Sequence, residues 1–285
     1  MKVRKTLLTI LTLTLTLSCN GQSYEPVDLA KKIFSRDKFA KKSEYITGEY
    51  KENKGKPEGQ DLPKGTTTKF LLLEQTEERA VVAMTILDES GYGVDTYLHF
   101  KKENIWKMST FRGLAMTGFI EQMVIELEKM TPEQVDEIIA MSKKKKKYDF
   151  SMFNSRENYD FKLGNAKLTI ALDNNIIQHF VENQAEFERL KNLALLQLEK
   201  EKIDKKRNVK LIESLKADYQ KLFISSVSTG GYELGNCINF LIGGILDNTV
   251  GYLFVNDKKD LPEMNPNSII MIREIGNGWY MYKTT

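Results

Sequence analysis

The sequence contains only two cysteines and two histidines among its 285 residues, and this scarcity excludes several kinds of site. No HxH, HExxH or CxxC spacing surrounds any of them, so we expect no bound metal and no other cofactor. The motifs Gly-x-Ser-x-Gly, Gly-x-x-x-x-Gly-Lys and Gly-x-Gly-x-x-Gly are also absent. The sequence therefore gives no motif-based reason to assign the protein to the hydrolases, nucleotide enzymes or dinucleotide enzymes that carry these motifs.

The chain also lacks net charge once its first residues are set aside. Residues 1–18 contain three basic residues and no acidic one, which leaves 39 basic against 39 acidic residues. Nucleic-acid binding depends on neutralising phosphates, so a neutral chain argues against a nucleic-acid partner.

The N-terminus has the features of a bacterial export signal. Three basic residues precede an apolar stretch, Leu7–Leu17, and small Ser18 then precedes Cys19. At about 1.5 Å per helical residue, this stretch covers roughly half of the ~30 Å hydrocarbon core and is too short to span it. Residues 15–19 (LTLSC), with Asn20-Gly21-Gln22 after them, resemble the lipobox of Bacteroidota lipoproteins. The resemblance implies a signal peptide over residues 1–18 and a lipid on Cys19.

A lipid on Cys19 has three consequences. It makes the membrane a partner through the acyl chains, and it leaves Cys237 without a disulfide partner in the chain. It also predicts a location in the cell envelope, where the protein is anchored to the outer membrane and faces the periplasm. The residues after Cys19 lack the acidic cluster that resembles a surface-export signal in some Bacteroidota, although surface exposure stays open as an alternative.

After a tether over residues 19–25, the pattern predicts an α+β unit over residues 26–142. A helix begins at Pro26, and an exposed loop rich in glycine and proline covers Lys51–Gly65. Segments rich in β-branched and aromatic residues then predict an antiparallel meander of four strands, Thr67–Glu74, Arg79–Leu87, Tyr92–Lys101 and Ile105–Phe111. Two helices follow, and the second begins at the capping box Thr131-Pro132-Glu133-Gln134 and ends near Ser142.

This first unit resembles NTF2-like envelope domains over about residues 26–130. The resemblance is carried by helices that flank a meander and by Asn104-Ile105-Trp106-Lys107 at the start of its last strand. It implies a curved sheet that often encloses a ligand pocket. Many members of that family are noncatalytic, so the resemblance assigns no catalytic residue.

A basic linker over residues 143–165 precedes a second α+β unit over residues 166–285. We expect a strand over Lys167–Ala171, a helix N-cap at Asp173 and one long helix to Leu198. A second helix over Leu211–Leu222 folds back on it as a hairpin. Five strands complete an antiparallel sheet: Phe223–Ser228, Cys237–Ile242, Val250–Val255, Ile269–Glu274 and Trp279–Lys283. Residues 243–252 and 276–280 are similar to lipoproteins of the same bacteria, which implies no mechanism.

Asp95, Tyr97 and His99 are the candidates for proton-handling chemistry. They alternate along the third strand and therefore point to one face, which in a concave sheet would line a polar pocket. The same alternation also occurs on the exposed polar face of a half-buried strand. Both interpretations stay open on the sequence alone.

The remaining chemically distinctive residues favour structural roles. Cys237 is expected to be a buried small hydrophobe, and His179 to lie at the surface or a core boundary. Gly230-Gly231 and Gly243-Gly244 punctuate loops, Asp247–Thr249 forms a turn, and Asn277-Gly278 forms a tight hairpin. Lys143–Lys147 is a solvated helix end and interdomain joint, or else a contact for anionic lipid. Trp279, Tyr280 and Tyr282 pack in the core rather than stacking on a ligand.

These features favour a lipid-anchored envelope protein with a noncatalytic role in binding an envelope protein or a small ligand. One alternative is an enzyme with a small pocket around Asp95, Tyr97 and His99. A second alternative is an immunity or inhibitor protein, for which the sequence carries no signature.

Overall fold

A computed structural model describes residues 23–144 and 152–285. The predicted signal peptide, Cys19, the start of the tether and Lys145–Lys147 lie outside the described residues. Helices are α1 (Pro26–Ile33), α2 (Gly48–Glu52), α3 (Thr117–Glu128), α4 (Pro132–Lys144), α5 (Arg156–Thr169), α6 (Asp173–Glu182), α7 (Gln184–Glu201), α8 (Lys216–Lys221) and α9 (Gly231–Leu234). Strands are β1 (Thr67–Gln75), β2 (Arg79–Leu87), β3 (Gly93–Lys102), β4 (Trp106–Gly113), β5 (Ser226–Thr229), β6 (Ile238–Ile245), β7 (Asn248–Phe254), β8 (Ile269–Gly276) and β9 (Trp279–Thr284).

The first sheet is the predicted antiparallel meander, with strand order β1-β2-β3-β4. Its apolar face packs against α1, where Leu29 and Ile33 share a core with Trp106 and Met108. The predicted start of α4 is also confirmed, because Thr131 N–H donates to Gln134 Oε1 at 2.8 Å and Gln134 N–H donates to Thr131 Oγ1 at 3.4 Å. The α+β class predicted from the sequence is therefore confirmed.

The second sheet is antiparallel with strand order β5-β6-β7-β9-β8, so the final strand lies inside the sheet and β8 lies at its edge. The β8–β9 hairpin turns at Asn277 (φ 54°) and Gly278 (φ 82°), as the Asn-Gly signal predicts for a primed turn. Trp279, Tyr280 and Tyr282 are buried, which confirms their predicted place in the core.

The predicted strand over Lys167–Ala171 is wrong, because residues up to Thr169 belong to α5. This helix begins inside the segment expected to be basic linker, where Ser155 Oγ accepts a hydrogen bond from Asn158 N–H at 3.1 Å. Ala166 packs against Ile120 and Val124 of α3, with Leu163 beside it. The helical spacing of these apolar residues, together with the N-cap, outweighs the short alternation that favours a strand.

The single long helix predicted from the N-cap at Asp173 to Leu198 is two helices, which meet at Asn183. This residue has φ −114° and ψ 16°, and its Nδ2 donates to the carbonyl of His179 at 2.8 Å. Asparagine side chains compete in this way for backbone groups and interrupt helices. The second arm of the predicted hairpin is also shorter than expected. Leu211 N–H donates to the Val227 carbonyl at 2.8 Å, and α8 begins only at Lys216.

The two units share one core. Val81, Ala83 and Tyr97 of the first sheet belong to the same cluster of buried residues as Phe180 and Trp279 of the second unit. The intervening residues of β2, Ala80, Val82 and Met84, face the α1 side. Strand β2 is therefore covered on both faces, which explains its nearly continuous apolar sequence.

Candidate functional site

Asp95, Tyr97 and His99 point to the same face of β3, as predicted, and this face is covered by the second unit. Their exposed fractions are 5%, 0% and 5%. The structure brings Asp95 and Tyr97 to a common partner, Asp173, at the start of α6. His99 has a different partner, the backbone of Ile270 on β8.

Asp95 joins the two units by a hydrogen bond at the start of α6. Its Oδ2 accepts from the backbone N–H of Asp173 at 2.6 Å, while its Oδ1 accepts from the hydroxyl of Thr85. The N-cap residue of α6 is Leu172, whose side chain cannot cap, so Asp95 satisfies one of the free N–H groups of the helix. Burial and the nearby charge of Asp173 raise the pKa of Asp95.

Asp173 and Lys283 form a buried ion pair at the same place. Lys283 Nζ lies 2.8 Å from Asp173 Oδ1, and the two side chains are 5% and 3% exposed. Tyr97 donates its hydroxyl to the two oxygens of Asp173 at 2.8 and 3.1 Å. Burial and this carboxylate raise the pKa of Tyr97 well above its ordinary value. We call Asp95, Tyr97, Asp173 and Lys283 the interface cluster.

Sequence reasoning missed the partners that complete the interface cluster. It placed Asp173 at the N-cap, but Asp173 is the first helical residue and turns its carboxylate towards Tyr97 and Lys283. Lys283 was expected only as the end of the last strand. The only sequence feature that marks Lys283 is its charge, which directly follows the aromatic and apolar residues of β9.

His99 is held neutral in this environment. Burial, with the charge of Arg112 added, lowers its pKa to about 4. Its Nε2 has no hydrogen-bond partner among the described residues. None of the cavities considered below is lined by His99, Asp95 or Tyr97.

An open groove lies along α5. Its apolar part has a volume of about 430 Å³ and is lined by Leu163, Gly164, Leu168, Ala171, His179 and Phe223, with Asp160 and Lys167 at the rim. A second, more polar part, of about 510 Å³, is lined by Asn154, Asn158 and Gln220 among other polar side chains, and also by Phe161 and Ala217. Asp160 and Phe223 line both parts, so we treat them as one site, the α5 groove.

Phe223 forms the division between the two parts of the α5 groove. Its backbone has φ 58°, and Asn165 Nδ2 holds it by donating to the Phe223 carbonyl at 2.7 Å. The ring lies directly over Gly164, where a Cβ would be 2.1 Å from the ring. Glycine is therefore required on α5 for the ring to occupy this position.

His179 stacks on Phe223 with ring centroids 5.6 Å apart and an angle of 24°. Its Nε2 lies 3.0 Å from the Leu222 carbonyl, which can only accept, so Nε2 carries the proton. Burial lowers the pKa of His179, and the neutral ring leaves Nδ1 as an acceptor beside the groove. The sequence predicted this residue at a surface or core boundary, which its partial burial confirms.

Three other sequence-based assignments can be compared with the structure. Cys237 is buried, as predicted, and burial raises its pKa to about 12. Gly243 and Gly244 lie within β6 rather than in a loop, and a Cβ on Gly243 would lie 2.5 Å from Thr169 Oγ1 of α5. Asn248 and Thr249, expected in a turn, are instead the first residues of β7, and Asn248 accepts from Ala115 N–H at 3.2 Å and so links the units.

Among residues 23–144 and 152–285, no cluster of three or more histidine, cysteine, aspartate or glutamate side chains has the arrangement of a metal site. Within the same ranges, no helix combines the length and apolarity needed to cross a membrane. Comparison of the chain with protein-family models, with curated proteins and with solved structures found no match.

Proposed function

We propose that this protein is a lipid-anchored envelope protein that binds an amphipathic small molecule in the α5 groove without transforming it. The observation that carries the proposal is that an apolar chamber and a more polar one adjoin at Phe223 and Asp160, which line both. An apolar moiety fits beside His179 and Phe223, and a polar moiety fits beside Asn158 and Gln220. Ligand sites commonly combine an apolar lining with a few directed polar groups in this way.

The positions of Asp95, Tyr97 and His99 in the structure favour a binding role over a catalytic one. A general acid or base must come within hydrogen-bond reach of its substrate. Asp95 and Tyr97 are instead bonded to Asp173 between the units, and His99 is packed against β8. The α5 groove contains none of these three residues.

The lipid anchor and the envelope location rest on residues 1–19 of the sequence. The basic start, the short apolar stretch and Ser18-Cys19 favour cleavage before Cys19 and attachment of diacylglycerol to its thiol. Mass spectrometry of the protein purified from membranes is expected to give an N-terminus at residue 19 with acyl chains. An intact, unacylated N-terminus would contradict the anchor and leave the α5 groove unaffected.

Binding in the α5 groove is tested with the fluorescent probe anilinonaphthalene sulfonate, which combines an apolar ring system with one polar group. The variant A171W fills the apolar part, and L196W places the same side chain on an exposed position of α7. We expect A171W to weaken probe binding about tenfold, equivalent to about 1.4 kcal/mol, and L196W to leave it unchanged.

Circular dichroism and thermal unfolding serve as controls that check whether both variants fold. Equal probe affinity in folded A171W and in the unmodified protein would overturn the groove as the binding site. An equal loss in L196W would do the same, because that position lies outside the groove.

A further inference from the structure

A second recess lies beside the end of α1, close to the first described residues. Its volume is about 450 Å³, and its lining includes Tyr24, Lys32, Lys38, Phe39, Lys41 and Tyr45. We call it the α1 recess. It shares no lining residue with the α5 groove.

The α1 recess lies near the proposed site of lipid attachment along the chain. Tyr24 is only five positions after Cys19 in the sequence. At about 3.5 Å per step, even a fully extended chain places their Cα atoms no more than roughly 18 Å apart. If Cys19 carries acyl chains in a bilayer, the recess therefore lies near the membrane surface.

Lysine side chains give the rim of the α1 recess an excess of positive charge. Lys32, Lys38 and Lys41 are exposed, and the acidic residues among them are Asp37 and Glu44. Lys41 Nζ lies 3.9 Å from Glu44 Oε1. Lys32 and Lys38 make no ion pair with any described acidic residue, so both ammonium groups are available to an anion.

Aromatic rings form one wall of the α1 recess. The ring centroids of Tyr24 and Phe39 are 5.9 Å apart, and Tyr45 lies 5.4 Å from Tyr24 and 5.3 Å from Phe39. Tyr24 and Phe39 are partly exposed at this wall. Tyrosine is enriched at the headgroup level of membrane proteins, where one side of its ring meets apolar groups and its hydroxyl meets water.

We infer that the α1 recess contacts anionic lipid headgroups and seats the folded part of the protein on the bilayer. Lys32 and Lys38 pair with headgroup phosphates, while Tyr24 and Phe39 lie at the boundary with the acyl chains. This inference rests on the proposed lipid anchor for its location. The charge and aromatic character of the recess are independent of the anchor.

Vesicle co-sedimentation tests this inference with a chain that starts at residue 19 and carries C19S, so that no acyl group contributes. Vesicles contain phosphatidylcholine alone or with about 30% phosphatidylglycerol, which supplies the negative surface. We expect binding only to the anionic vesicles. The variant K32Q/K38Q is expected to lose about thirtyfold in partitioning, since each lysine at an anionic surface contributes roughly a factor of five.

The matched control is K200Q/K206Q, which removes two exposed lysines from the second unit. Equal losses in the two variants would overturn the inference, because a uniform charge effect needs no particular recess. Equal binding to both kinds of vesicle would also overturn it. A third outcome would overturn the inference as well. If inorganic phosphate alone changes the chemical shifts of Lys32 and Lys38 as much as anionic vesicles do, the recess is a site for a free ion. Failure of lipidation at Cys19 is measured separately by mass and does not alter these outcomes.

Discussion

The interface cluster and the α5 groove both bring polar or titratable side chains together from distant parts of the chain, but only the groove leaves them accessible. In the interface cluster, Asp95, Tyr97 and Lys283 all bond to Asp173, through either its backbone or its carboxylate. All four residues are buried. In the groove, His179 and Asp160 border open space. The buried titratable residues therefore hold the two units together, whereas the charged residues that line the groove, such as Asp160 and Lys167, are exposed to solvent.

The largest expected change in stability comes from removing one partner of the buried ion pair, and it tests whether the interface cluster is structural. K283M leaves the buried carboxylates of Asp173 and Asp95 without their lysine. Removing one partner of a buried pair typically destabilises a protein by about 3–5 kcal/mol, because the other charge stays desolvated. Urea unfolding of K283M is expected to show a loss of this size. The double variant D173N/K283M should recover part of it, and a loss below about 1 kcal/mol in K283M would contradict a structural role.

The second prediction concerns the pH dependence that His99 contributes. Its folded pKa of about 4 lies below its ordinary value of 6.5, so burial favours the neutral imidazole. The stability that this neutral form contributes is complete above pH 6.5 and is lost as the pH falls towards 4. Linkage gives a loss of about 3 kcal/mol at pH 4, relative to a variant with no titrating group.

Urea unfolding of the unmodified protein and of H99Q between pH 7 and pH 4 measures this difference. The free energy of unfolding should fall more steeply for the unmodified protein, with most of the difference arising below pH 6.5. Parallel curves would show that His99 is not shielded between the units. An imidazole NMR signal that titrates near 6.5 would contradict the prediction in the same way.

Much of this architecture follows from local pattern. Each strand expected in the first sheet appears within two residues of its predicted ends, because alternation and short polar turns are local properties. The hairpin at Asn277-Gly278 follows from the conformational freedom of those two residues. The strand expected over Lys167–Ala171 failed because five residues of alternation cannot be distinguished from the last turn of a helix.

The candidate sites depend on contacts that no local pattern encodes. Asp173 and Lys283 are 110 residues apart, and nothing in either segment identifies the other as its partner. Only the near-continuous apolar sequence of β2, with Val81 and Ala83 facing the second unit, indicates that the first sheet has two covered faces. The α5 groove depends on Gly164 and Phe223, which are distant in sequence and carry no catalytic motif.

The third prediction tests the packing of the α5 groove. In G164A the new methyl would meet the Phe223 ring, which must move because its backbone is held by Asn165. Overpacking of this kind destabilises a protein by about 1–3 kcal/mol, despite the better helix propensity of alanine. Thermal unfolding of G164A should show this loss, and G164A/F223A should recover part of it.

G118A in α3 is the control for G164A, because its Cβ has no neighbour within 4 Å. It should be neutral or stabilising by up to about 1 kcal/mol. Similar destabilisation by both substitutions would contradict a specific contact between the ring and α5.

The smallest expected effect comes from an exposed ion pair that also joins the units. Arg79 of β2 lies 3.0 Å from Glu263, and these side chains are 45% and 78% exposed. Water already solvates both charges, so E263Q should change the free energy of unfolding by less than about 1 kcal/mol, and added salt should abolish even that. A double-mutant cycle of R79M and E263Q in low and high salt measures the coupling. A coupling as large as the loss in K283M would mean that distance alone, rather than exclusion of water, sets the strength of the contacts between the units.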